Sequence, residues 1–71
     1  MSPEDIERIV RQHADLPPLL NIQQAAKIAQ RSIATIHDWS HRGLLDSIKV
    51  RRGRRLIFDR DGFVRFLLTS N

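Results

Sequence analysis

The sequence predicts an α+β fold, mainly α-helical, in which four short helices accompany one two-stranded β-hairpin. Three observations carry this. Apolar residues recur at helical spacing in four segments, each opened by a capping residue. One stretch, 48–58, instead alternates apolar and charged residues as strands do. The Pro17-Pro18 pair, Gly43 and Gly53 fall between these segments, where chain breaks belong.

The first helix is expected over roughly 3–14. Ser2 suits the N-cap, Pro3 the first helical position, and Glu4 and Asp5 the positive helix end. Ile6, Ile9, Val10 and His13 form a narrow stripe, so this helix needs something to pack on. Two consecutive prolines then close it. Asn21 is the next N-cap, with Gln24 placed to complete a capping box, and Ile22, Ala25, Ala26, Ile28 and Ala29 give a helix over roughly 22–30. After the tight connection Gln30-Arg31, Ser32 caps a third helix over roughly 33–42. Its inner face is Ile33, Ile36 and Trp39-Ser40, and Gly43 ends it in the left-handed conformation. Two short helices so joined, the second with a polar face, read as helix-turn-helix. Leu44-Leu45 returns to the core. Ile48 and Val50 begin a strand, Arg52-Gly53 is the expected turn, either bulged or of two residues because Arg is an unusual partner for the glycine, and Leu56 and Phe58 lie on the returning strand. Asp59 caps a last helix over roughly 60–69, with Phe63, Phe66 and Leu67 inward.

With 71 residues the chain holds one core, and no cysteine is present to staple it by disulfide or thiolate–metal bonds. No apolar run approaches the ~20 residues of a membrane span. The opening MSPEDIER is acidic and lacks an apolar h-region, so no secretory signal is expected.

The net charge of +4 is modest, but its distribution is not. Between residues 27 and 55 stand Lys27, Arg31, Arg42, Lys49, Arg51, Arg52, Arg54 and Arg55, against Asp38 and Asp46 alone; the rest of the chain is net acidic. A basic excess confined to one segment is the footprint of a nucleic-acid binder. Its sharpest part is the hairpin tip. Arg51, Arg52, Arg54 and Arg55 surround a glycine, and four like charges at one tip repel each other unless an anion relieves them. Such a wing is suited to phosphates or to a minor groove. The third helix is the candidate reader of a major groove, through Arg31, Ser32, Ala34, Thr35, His37 and Arg42. Asp38 belongs there only if it accepts from a cytosine amine or holds an arginine such as Arg42.

No catalytic or metal function is expected, and no cofactor. His37-Asp38-Trp39-Ser40-His41 matches the histidine spacing of a zinc-hydrolase helix, but Asp stands where that chemistry needs Glu, and no third ligand is evident. There is no cysteine, no tyrosine and no Gly-rich phosphate loop, so the chain is not expected to be an enzyme. Trp39 is expected to fill the core beneath the hairpin.

These residues resemble the MerR-type winged helix-turn-helix, and within it the bacteriophage excisionases, or recombination directionality factors. Ser32-Ile33-Ala34-Thr35-Ile36-His37-Asp38-Trp39 is similar to that family's reading helix. Val50-Arg51-Arg52-Gly53-Arg54-Arg55-Leu56-Ile57-Phe58 is similar to its wing. The similarity spans about 19–68. It divides the chain into an N-terminal helix with its Pro-Pro linker, 1–18, and a DNA-binding winged helix-turn-helix, 19–71. The chain departs from the pattern at Gln30-Arg31, where many relatives have Gly then Val, and at Asp38, where several carry a basic residue. The resemblance implies a protein that binds double-stranded DNA beside an attachment site, bends it, and assists an integrase in excision, with neighbouring copies of itself on the DNA. It also implies a place in the cytoplasm of a bacterial host. A small transcriptional regulator of the same fold is the alternative.

Overall fold

The structure, a computed structural model, describes residues 1–69. Ser2 caps helix α1 (Pro3–Gln12), its hydroxyl accepting from the Asp5 N–H. The helix ends two residues early. His13, Ala14 and Leu16 donate to carbonyls three residues back, which tightens the chain into turns ahead of the prolines. Arg60 then fixes the linker. Its guanidinium donates to the Leu16 and Ala14 carbonyls at 2.6 and 3.1 Å, and its backbone N–H to the Pro18 carbonyl at 3.0 Å.

The next segment is a short strand, β1 (Leu19–Asn21), followed by helix α2 (Ile22–Ala29) with the expected Asn21–Gln24 capping box. Helix α3 (Ile33–His41) is capped by Ser32. Strands β2 (Lys49–Arg52) and β3 (Arg55–Asp59) form the hairpin, and helix α4 (Arg60–Thr69) opens with the Gly62 N–H donating to the Asp59 carboxylate at 2.7 Å. The sheet is antiparallel with order β1-β3-β2. It therefore has three strands rather than the two expected. β1 is only three residues long, with Leu20 alone turned inward, which is too short to display alternation. The hairpin turn is also displaced by one residue. Arg52 pairs with Arg55, so the two-residue loop is Gly53-Arg54, with positive φ at Gly53 as in a type II′ turn.

Helices α2 and α3 end alike. The Leu44 N–H reaches the Trp39 carbonyl and the Gly43 N–H that of Ser40; the Arg31 N–H reaches the Ala26 carbonyl and the Gln30 N–H that of Lys27. Both are Schellman closures, which require a left-handed residue after the helix. Gly43 supplies it in α3 as expected. In α2 it is Gln30, at φ 56°.

One core joins all the layers. Leu20, Ala25, Ala26, Ile36, Leu45, Phe58 and Phe63 are buried, with Trp39, Ile48, Leu56, Phe66 and Leu67 packed around them. Full burial of each large apolar side chain stabilises by about 1.5–3 kcal/mol. The two alanines of α2 leave room for close helix approach, and Gly62 does the same for α4. A Cβ there would stand 2.5 Å from the Ile48 Cγ2. Two residues of the expected inner faces turn outward: Ile33 is 41 % exposed and Leu44 45 %. Ile33 is the first residue of α3, and Leu44 leaves the Schellman turn. Trp39 is half-buried rather than enclosed, its ring tilted against Phe66 at 5.6 Å. Helix α1 packs on α4, burying Val10, and Glu7 and Arg65 join the two helices by paired hydrogen bonds of 2.7 and 2.8 Å.

Candidate nucleic-acid interface

At 3.6 residues per turn, α3 turns Ile36 and Ser40 into the core. His37 and His41 then share one outward stripe, and Ala34 and Asp38 the next; all four are exposed. The stripe carrying His37 and His41 faces a groove closed on its other side by the hairpin, which contributes Lys49, Arg51, Arg54 and Arg55. Asn21 and Gln23, at the start of α2, line one end. The expected partners, reading helix and basic wing, therefore meet across a single groove.

The hairpin holds its charge outward. Arg51, Arg52, Arg54 and Arg55 are all exposed, and among the described residues none of them makes an ion pair. The register sets Arg52 directly opposite Arg55. Like charges in that position oppose folding by roughly 0.2–1 kcal/mol, a repulsion that bound phosphate would relieve.

The helix-borne candidates separate. Ser32 is committed to its cap: its hydroxyl accepts from the Thr35 N–H at 3.2 Å and lies 3.0 Å from the Thr35 hydroxyl, so Thr35 is half-buried and tethered. Arg42 donates to Asp38 at 3.4 Å, so Asp38 takes the arginine-holding role, although both groups are exposed and the pair contributes little to stability. Arg31 and Arg42 do not reach the wing groove. They border a different groove of mixed polar and apolar lining, beside Trp39, Leu44, Phe66 and Leu67.

Two groove residues stand outside the expected set of contacts. His41 is one turn beyond His37, and that spacing puts both on the stripe that faces the groove. Lys49 looks like one more wing charge, yet its ammonium turns inward, 2.9 Å from the Asp46 carboxylate and 3.3 Å from the Ser40 hydroxyl. Outside the groove, one ion pair shifts both of its partners. Hydrogen bonding from Arg65 holds the Glu7 carboxyl below its ordinary range, and Glu7 raises Arg65 in return.

No helix is long and apolar enough to cross a membrane among the described residues. No curated protein and no solved structure shows significant similarity to the chain. A family model described as a helix-turn-helix domain does match, over residues 19–70, which takes in β1, both helices of the motif, the hairpin and α4. The chain thus belongs to the helix-turn-helix domain family, and this region is a DNA-binding domain.

Proposed function

We propose that the protein is an excisionase-like architectural factor. It binds duplex DNA sequence-specifically, bends it beside a phage attachment site, and so promotes integrase-mediated excision without catalysing any step itself. In this reading α3 enters the major groove, with Ala34, Thr35 and His37 near base edges and Arg31, Ser32 and Arg42 toward the backbone. The hairpin follows the adjacent backbone through Arg51, Arg52, Arg54 and Arg55.

The observation that carries the reading is the wing: four exposed arginines within five residues, without ion-pair partners among the described residues. Neutralising phosphates on one side of a duplex leaves the repulsion on the other side unopposed, which favours bending toward the protein. A single domain of this size spans few base pairs, so neighbouring copies on adjacent sites would supply the affinity that one copy lacks.

The test starts from duplexes selected out of a random pool by repeated binding. Circular-permutation mobility then measures bending on probes carrying one, two and three sites. The reading expects a bend that grows with site number, cooperative filling, and stimulation of excision by a cognate integrase. Straight DNA with independently filled sites would favour instead a small transcriptional regulator of the same fold.

A further inference from the structure

Among the described residues that line the wing groove, His37 and His41 carry the imidazoles, the side-chain type suited to sensing pH near neutrality. Both lie on α3, one turn apart and exposed, and both face Lys49, Arg51, Arg54 and Arg55. Among the described residues no carboxylate lines that groove. Asp38 on α3 is paired with Arg42, and Asp46, beyond the helix, is paired with Lys49. In the free protein a proton on either imidazole therefore adds to the arginine charge of the wing and meets no unpaired carboxylate in the groove. With a phosphate backbone in the groove the same proton is attracted.

We infer that this pair couples DNA binding to protonation: the duplex draws protons onto His37 and His41, and affinity rises as pH falls from 8 to 6. This rests on the reading that α3 and the wing face DNA. It adds His41 to the interface and makes the pair a pH-sensitive element. The sign follows from linkage. A complex that holds more protons than its separated parts is favoured by acid, and DNA raises proton affinity as much as protons raise DNA affinity. Protonation also adds cations to the contact, so the dependence on salt steepens at low pH.

The test is fluorescence anisotropy of the full chain on one labelled duplex, at constant ionic strength with EDTA, from pH 8 to pH 6. The wild type is compared with H37Q, H41Q, the double variant H37Q/H41Q, and H13Q. His13 lies on α1 outside the groove, its Nδ1 2.8 Å from the Ile9 carbonyl oxygen, and serves as the control. Both groove histidines are exposed, so their replacement leaves the core intact, which circular dichroism verifies at each pH. The expected result is binding several-fold tighter at pH 6 than at pH 8. H13Q keeps this dependence, each groove variant loses part, and the double variant is flat. Strong binding that does not vary with pH, or an unchanged dependence in the double variant, overturns the inference and leaves the DNA reading standing. Absence of duplex binding at every pH defeats both.

Discussion

The Lys49 ammonium donates to the Ser40 hydroxyl at 3.3 Å, joining the first residue of the hairpin to the buried edge of α3. Asp46, 2.9 Å away, neutralises the same ammonium. The contact ties the base of the wing to the helix beside the groove that would receive DNA. Lys49→Met should therefore weaken duplex binding several-fold while changing the log–log salt slope by less than about 0.5, because a charge already paired releases few counterions. A slope change near 0.9 would make Lys49 a direct phosphate contact.

Trp39 bridges α3 and α4 through Phe66. Replacing a fully buried aromatic by alanine removes about 3–5 kcal/mol; half-buried, Trp39 should account for roughly 2–3 kcal/mol. At about 4–8 °C per kcal/mol in a domain of this size, Trp39→Ala lowers the melting temperature by about 10–20 °C. A variant that melts as the wild type does but no longer binds DNA would instead make the indole a contact residue.

The sequence made the capping residues legible because each acts within its own turn: Ser2, Asn21 with Gln24, Ser32 and Asp59 behave as expected. The hairpin was legible in its alternation but not in its turn, since either Arg52 or Arg54 can flank the glycine until the partner register is fixed. Strand β1 left no trace because three residues make no period. For the candidate site, periodicity gave the outward face of α3 but not its flanks. Which flank meets the wing depends on the sheet: His37 lines the wing groove, whereas Arg31 and Arg42 border a second groove. Arg60, an ordinary surface charge in sequence, finds its partners more than forty residues away.

Gln30 occupies a left-handed position that glycine adopts without steric penalty. Strain of about 1 kcal/mol at such a residue is partly offset, in the substitution, by the greater unfolded-state entropy of glycine. Gln30→Gly should therefore raise stability by about 0.5 kcal/mol, read as a small increase in denaturation midpoint at constant m-value. A loss of stability would mean that the Gln30 side chain contributes contacts exceeding the backbone strain.

Glu7 and Arg65 fasten α1 to α4 at the surface. The folded Glu7 pKa lies below its ordinary 4.5, so its contribution is present above that value and is lost as pH falls through the lowered folded one. Glu7→Gln should melt slightly below the wild type at pH 7, with the two curves converging at acidic pH and at high salt. A gap that persists after the carboxyl is protonated would show that the effect is not electrostatic.

If the wing lies against the DNA backbone, the salt dependence of duplex binding measures that contact directly. Arg52 and Arg54 are exposed, and among the described residues neither makes an ion pair, so Arg52→Ala with Arg54→Ala leaves the core untouched. Each phosphate contact contributes roughly 0.9 to the slope of log affinity against log salt. The double variant should bind every duplex more weakly and flatten that slope by about 1.8. A slope equal to that of the wild type would show that the wing stays off the DNA.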